Sequence, residues 1–342
     1  MPTLPDTSAG DRSARPAWLP ATLLLALALI WFATVMWQSH ALITGNVADP
    51  TIALSSAATA LPVLVAASVV AGAAAGLVAT GIAGGGRLGG TPGRLAVGAL
   101  GGAACGLPAA GVIVFAYGSH SSVAVLAATV GAAAVLGGAA AALPQPAILV
   151  AVAAAIAVFV FSVVVNAFQS PLMELLGAGD SLASRAGAAT RLAYLQSGLC
   201  GLVAGTVAFV GLRRTGAQLG WPLYLLGGAG PGLALLLAEA VTRLGGAPLL
   251  NFVRNLSPAD EAVMAYGDAA RVRNAMIIGF VGGILAMVLY GRTLQPAAEE
   301  PAVGDEPAPG GETALGGEPA AGGESADEDA VAEAGRDWPS ER

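Results

Sequence analysis

The chain has 342 residues, of which 56% are hydrophobic and only 11% are charged, whereas soluble globular domains carry about 25% charged residues. A bilayer can accept this much apolar sequence because lipid tails solvate the outer faces of helices. The composition therefore predicts an integral membrane protein and excludes an ordinary soluble domain.

The net charge of −7 comes from the C-terminal tail. From Glu299 to Arg342 the sequence has 13 acidic residues and 2 arginines, so the rest of the chain carries a net charge of +4. The acidity therefore gives no indication of an acidic partner or substrate. The tail is rich in Pro, Gly, Ala and acidic residues and cannot bury enough apolar area to offset its ordering entropy. We expect 293–342 to be a disordered acidic cytoplasmic tail.

The first apolar run, 17–38, follows a polar segment, 1–16, which we expect to be cytoplasmic. Trp18 and Trp37 would lie roughly 28 Å apart along a helix that rises about 1.5 Å per residue. This spacing matches a hydrocarbon core of about 30 Å with an aromatic residue at each interface. The run is longer than the core of a typical signal peptide, which favours an uncleaved membrane anchor.

Seven more apolar segments are long enough to cross a bilayer as helices. The fold class that follows is all-α, a polytopic transmembrane helical bundle of about eight spans occupying 17–292. The segment 122–142 consists almost entirely of Ala, Gly and Val, so its hydrophobicity is weak and its full span is left open. The predicted spans are 17–38, 58–82, 95–117, 122–142, 147–168, 191–212, 219–241 and 274–291.

Arginines in the short loops set the predicted orientation. The loops 83–94 and 213–218 contain arginine, whereas the loops 39–57 and 118–121 contain none. Because basic residues of short loops stay cytoplasmic, both termini are expected in the cytoplasm. Arginine as the basic residue throughout, together with abundant alanine and glycine, indicates a GC-rich bacterial genome. The expected location is the bacterial inner membrane, crossed several times.

The longest ordered connection, 242–273, contains a predicted helix start. Ser257 suits a helix cap, Pro258 the first helical position, and the acidic pair Asp260 and Glu261 the first turn. We expect a helix that runs to about Tyr266 as a lead-in outside the membrane, or one that continues past Gly267 into the last span.

Glycines four residues apart predict a tight bundle, since helices in lipid associate where small residues let backbones approach. Pro231, between two glycines, is the predicted site of a helix break. Residues 105–109 resemble 200–204, as in an inverted repeat, although Ala/Gly-rich sequence produces such matches by chance. The glycine pairs are Gly72 and Gly76, Gly98 and Gly102, Gly102 and Gly106, Gly201 and Gly205, Gly228 and Gly232, and Gly279 and Gly283.

The sequence contains no recognisable catalytic constellation. Its two histidines, His40 and His120, belong to no His-Glu-x-x-His pattern. The match of Gly84, Gly86 and Gly89 to a dinucleotide fingerprint follows a membrane span rather than a strand, which excludes that interpretation. We therefore predict no catalytic residues, no metal site and no cofactor.

Polar residues gather at the predicted outer ends of the spans. They are interpreted either as the lining of an outward-facing pocket or as interhelical hydrogen-bonding and interface anchors. Glu239 and Arg243, four residues apart, are expected to form an interfacial ion pair. The candidate residues of the outer polar pocket are Asn166, Gln169, Glu174, Arg191, Tyr194, Gln196, Glu239 and Arg243.

Two functions remain open from the sequence. The first is a non-catalytic assembly or scaffold component of the cell envelope, suggested by the missing catalytic pattern and the long tail. The alternative is a membrane transporter of a small or lipidic substrate, and an enzyme ranks behind both. The partners expected are the lipid bilayer and, for a scaffold, other membrane proteins, with no nucleic acid.

Overall fold

The computed structural model describes residues 18–44, 50–84, 90–118, 121–215, 219–254 and 258–293. Within these ranges the protein is helical and contains no strand, and eight helices are long and apolar enough to cross a membrane. The predicted all-α bundle of about eight spans is therefore confirmed. The predicted N-terminal segment 1–16, and the predicted tail 293–342 after its first residue, lie outside the described residues.

The described ranges contain ten α-helices, of which α6 and α9 are short. A proline in the first turn of α3, α5 and α8 suits a helix start, because the missing N–H has no intrahelical partner there. A 3-10 turn at Ala140–Ala142 extends α4. The helices are α1 Trp18–Thr44, α2 Pro50–Ile82, α3 Thr91–Tyr117, α4 Ser121–Ala139, α5 Gln145–Ala167, α6 Gln169–Leu175, α7 Leu182–Arg214, α8 Trp221–Gly245, α9 Ala247–Arg254 and α10 Pro258–Gly291.

Several helices are longer than the predicted spans, and the difference is largest for α7 and α10. Helix α7 begins at Leu182 rather than near 191, and Ser181 caps it by accepting a hydrogen bond from the Ser184 N–H at 3.1 Å. Helix α10 begins at Pro258, as predicted, and continues through Gly267 into the last span. The expected lead-in helix and the last span are therefore one continuous helix.

The predicted break at Pro231 is wrong, since α8 is helical from Trp221 to Gly245. Pro231 is fully buried, and its helix is packed closely on either side. A Cβ added at Gly230 would lie 2.4 Å from the Cβ of Ala151 in α5, and one at Gly232 would lie 2.5 Å from the Ala275 carbonyl oxygen in α10. Proline is tolerated inside a membrane span where neighbouring helices surround it, as α5 and α10 do here.

The predicted glycine pairs lie at helix crossings. A Cβ at Gly72 of α2 would approach the carbonyl oxygen of Ala134 in α4 to 2.0 Å, and one at Gly102 of α3 would approach it to 2.2 Å. A Cβ at Gly228 of α8 would lie 2.3 Å from the Gly282 carbonyl oxygen in α10. Backbone therefore packs directly on backbone at these positions. Gly279 has looser surroundings than the other glycines of these pairs, with its nearest neighbour at 3.5 Å.

The helices form two groups that pack in the same order, except that α5 also packs against α8, whereas the described parts of α1 and α3 do not meet. In the first group α1 packs against α2, and α2 and α3 both pack against α4. In the second group α5 packs against α7, and α7 and α8 both pack against α10. Gly72 and Gly76 of α2 thus correspond to Gly201 and Gly205 of α7. This is the order of a parallel repeat, whereas the predicted inverted repeat would relate α3 to α7.

Large apolar side chains cover the outside of the bundle. Phe115 is 94% exposed, and Leu107 and Phe280 are also exposed in the middle of their helices. Lipid tails can solvate such surfaces, so the spanning helices imply direct contact with the bilayer.

Candidate functional site

A cavity of about 300 Å³ lies between the two helix groups and is called the central cavity here. Helices α1 and α2 line it from the first group, and α5, α8 and α10 line it from the second. Its wall is mainly apolar, with Val70, Val158 and Ile278 among the lining residues. The wall has few polar side chains, among them Glu239, Arg271 and Asn274.

Glu239 of α8 is the acidic residue in this wall. It is only 5% exposed, and its two carboxylate oxygens accept hydrogen bonds from two arginines. Oε1 lies 3.0 Å from Nε of Arg243, and Oε2 lies 2.9 Å from Nε of Arg271 in α10. The ion pair expected from the four-residue spacing is present, and the structure adds the second arginine. A buried carboxylate needs such partners, because desolvation strongly disfavours an unpaired charge.

The ion pairs continue beyond Arg271 into a network of five residues. Arg271 also donates to Asp268, one turn earlier in α10, and Asp268 accepts a further hydrogen bond from Arg254 of α9. Positive and negative groups therefore alternate in the order Arg243, Glu239, Arg271, Asp268, Arg254. We call these residues the ion-pair network, and it joins α8, α9 and α10.

A second recess, of about 1000 Å³, lies at the end of the bundle where α9 meets α10. We call it the vestibule. Arg243, Arg254 and Asp268 line it, and the side chains of the two arginines are 48% and 34% exposed. Glu239 and Arg271, by contrast, line the central cavity. The ion-pair network therefore stands between the two recesses.

Arg273, two residues after Arg271 in α10, also lines the vestibule. Its guanidinium carbon lies 4.7 Å from the ring centroid of Tyr194 in α7. A cation over an aromatic face at this distance is attracted by the ring quadrupole. This contact connects α7 to the vestibule wall.

Two residues of the central cavity carry buried polar atoms without a hydrogen-bond partner among the described residues. They are Nε1 of Trp31 in α1 and Oδ1 of Asn274 in α10. The Trp31 ring stacks on Phe159 of α5, with centroids 4.4 Å apart, so the indole is held in place. Buried polar groups are normally hydrogen-bonded, so these two atoms are exceptions among the described residues.

The eight predicted pocket residues do not line one common pocket. Glu239 lines the central cavity, Arg243 lines the vestibule, and Tyr194 lies beneath Arg273. Arg191 donates to the Leu176 carbonyl oxygen at 3.0 Å, at the loop that follows α6. The remaining four line neither recess: Asn166, Gln169 and Glu174, which are exposed, and Gln196, which is half-buried.

The residues that complete the network are not evident from the sequence. Arg254, Asp268, Arg271 and Arg273 all fall within the predicted outer connection 242–273. The spacing of Asp268 and Arg271 could have identified these two residues, because residues three apart lie on one face of the helix that starts at Pro258. Asn274, at the predicted start of the last span, gives no comparable signal.

The fold and its cavities define a class of protein, the polytopic α-helical membrane proteins. In the described part of the chain, no group of three or more His, Cys, Asp or Glu residues could hold a metal ion. Comparison with protein families, curated proteins and solved structures gives no match.

Proposed function

We propose that the protein is a membrane transporter whose small or lipidic substrate binds in the central cavity. The observation that supports this function is the position of the cavity between two helix groups with the same packing order. Transporters built from repeats place their substrate sites at the boundary between the repeats. Pockets between bundle helices are also common ligand sites.

The size and lining of the central cavity support a small substrate. Its volume of about 300 Å³ lies at the lower end of the range of about 300–1,000 Å³ found for small-molecule sites. The wall is mainly apolar, so most of the substrate surface should be apolar too.

The ion-pair network suits the role of a gate between the vestibule and the central cavity. Arg271 is shared by Glu239 and Asp268, and each of these acids has a second arginine, Arg243 or Arg254. When the Arg271 side chain swings away, neither carboxylate loses its last cationic partner. Opening therefore avoids the large cost of leaving a buried charge unpaired.

The scaffold function expected first from the sequence is based on the missing catalytic pattern, the small number of charges within the predicted spans and the acidic tail. That tail lies outside the described residues, and a scaffold has no need of an internal cavity. The central cavity therefore favours the transporter over the scaffold.

Cysteine accessibility tests the proposed function without knowledge of the substrate. In a background of Cys105→Ser and Cys200→Ala, Ala155→Cys places a thiol in the cavity wall, where Ala155 is 7% exposed. A membrane-impermeant thiol reagent is then applied to either side of sealed vesicles. A transporter that alternates its access should be labelled from both sides.

Ala133→Cys in the same background is the matched control, because Ala133 is fully buried in α4 and lines neither recess. It should remain unlabelled from both sides. If the Ala155→Cys protein is labelled from one side only, or from neither, the proposed transport function is wrong.

A further inference from the structure

The wall of the vestibule carries more positive than negative charge. The ion-pair network contains three arginines and two acids, so one of its positive charges is uncompensated. Arg273 adds a second positive charge, since it forms no ion pair among the described residues. A recess lined in this way attracts anions.

Glu261 is the one acid of the described vestibule wall that lies outside the network. It is exposed and belongs to the first turn of α10, twelve residues before Arg273. Twelve residues span roughly 18 Å along a helix, and charges in solvent are screened beyond about 8 Å at physiological ionic strength. Glu261 therefore does not compensate the charge of Arg273.

Arg243 and Arg254 keep hydrogen-bond donors that a ligand can use. Among the described residues, Arg243 donates only from Nε and Arg254 only from Nη2, whereas a guanidinium has five N–H donors. Their side chains are 48% and 34% exposed, so the remaining donors are within reach from the vestibule. Guanidinium groups match the geometry of phosphate oxygens, often with two parallel hydrogen bonds.

The deeper part of the vestibule is apolar. Met276 and Ile277 line it three and four residues after Arg273, roughly 5–6 Å further along α10 toward the middle of its span. Met276 is 48% exposed, and Leu250 of α9 also lines the recess. A ligand in the vestibule therefore meets arginines at one level and apolar side chains at the next.

We propose that the vestibule binds an anionic phospholipid. The arginines of its wall bind the phosphate group, and the first part of the acyl chains lies against Met276 and Ile277. Basic residues close to the membrane surface attract anionic lipids in general. A soluble phosphate would leave the apolar part of the recess empty, so the two levels together favour the lipid. The vestibule is a separate recess from the central cavity, and this binding does not depend on the proposed transport.

Native mass spectrometry of the full chain in detergent measures the binding of four probes. Dioleoyl phosphatidic acid carries an anionic phosphate, dioleoyl phosphatidylcholine has the same chains with a headgroup of no net charge, and dioleoylglycerol has no phosphate. Glycerol phosphate carries the phosphate without chains. We expect phosphatidic acid to bind at least about fivefold more tightly than each of the other probes.

Arg273→Gln should weaken the binding of phosphatidic acid about fivefold, as for the loss of one basic residue beside an anionic headgroup. This variant leaves every ion pair of the network in place, so its thermal unfolding in detergent should be close to that of the unchanged protein. Arg243→Gln is a second variant with the same expected effect, because Glu239 keeps Arg271 as a partner. Arg292→Gln is the matched control, since it removes the same charge beyond the other end of α10 and should change nothing.

A phosphatidic acid with a diazirine near the start of one acyl chain locates the site in nanodiscs of phosphatidylcholine. Adducts on Met276, Ile277 or Leu250, together with tighter binding that depends on Arg273 and Arg243, support the proposal. Adducts that avoid these three residues overturn it.

The other outcomes are equally decisive. Equal binding of phosphatidylcholine or dioleoylglycerol, or an equal loss in Arg292→Gln, shows contact without recognition of the headgroup and overturns the proposal. Glycerol phosphate that binds as tightly as phosphatidic acid identifies a site for soluble phosphate and overturns the lipid as the ligand. Labelling of Ala155→Cys tests the transport function separately, so the failure of one proposal is distinguishable from the failure of the other.

Discussion

Arg271 of α10 donates from Nε to Oε2 of Glu239 in α8 at 2.9 Å, and both side chains line the central cavity. The two residues differ in burial, since the Glu239 side chain is 6% exposed and the Arg271 side chain 34%. Substitution of Glu239 leaves Arg243 without its ion-pair partner, whereas substitution of Arg271 leaves each acid with one arginine. These differences lead to distinct expectations for the two positions.

Glu239→Ala should destabilise the protein more than Arg271→Ala. Without Glu239, the cavity wall contains an arginine whose charge is compensated only by Asp268, and a cost of about 3 kcal/mol is expected from removing one partner of a buried pair. Without Arg271, each acid keeps a second arginine, and the partly exposed pair contributes only about 1 kcal/mol. Thermal unfolding in detergent measures both, with Glu174→Ala as the exposed control. Equal losses for both variants would contradict the network as described.

Arg271→Ala should also open the central cavity toward the vestibule. In the Ala155→Cys background, the impermeant reagent applied from the α9 end should react several-fold faster, because the arginine that bridges Glu239 and Asp268 is then missing. Arg191→Ala is the control, since Arg191 lies near the same end of the bundle and outside the network. An unchanged rate would show that the network does not close the cavity.

Two alanine substitutions in α3 test the backbone crossings. Gly102→Ala places a Cβ 2.2 Å from the Ala134 carbonyl oxygen, so the helices must separate, at a cost of about 1–3 kcal/mol for overpacking. Gly111→Ala, on the same helix, meets nothing within 4 Å and should be close to neutral. A melting temperature of Gly102→Ala that equals that of Gly111→Ala would argue against close contact between α3 and α4.

The orientation predicted from the arginine-containing loops can be measured with reporter fusions. Eight spans place Gly90 and Arg292 on one side of the membrane and Asp260 on the other. The loop arginines predict that the first side is the cytoplasm. Reporters fused at these three positions measure on which side of the membrane each position lies. If Gly90 and Asp260 lie on the same side, the protein does not have eight spans.

Much of the fold follows from the sequence because a bilayer requires long apolar runs. The eight spans and the glycine crossings can be predicted from the sequence, because each depends on local composition and residue spacing. Helix α10 shows the limit of that reasoning. Asp268 and Arg271 lower the hydropathy of its first half, and a window average cannot recognise that their charges are paired.

The candidate site could be predicted only in part. Glu239 and Arg243 are selected because they are neighbours on one helix. The second arginine of Glu239 comes from α10, and Arg254 comes from α9, so these pairs depend on how three helices meet. The unpartnered indole of Trp31 is likewise a property of the packed bundle, as the sequence places Trp31 in the middle of an ordinary apolar span.

The glycine crossings have a mechanical consequence. In each helix group the backbones already touch, as at Gly72 against Ala134 and Gly228 against Gly282, so the helices cannot slide past one another without collision. Each group should therefore behave as a rigid body. Relative motion is therefore expected at the boundary between the groups, where α2 faces α5 and α8. The central cavity lies at this boundary. A disulfide or cross-linker that joins α2 to α5 should arrest the whole motion, whereas one placed within either group should leave it free.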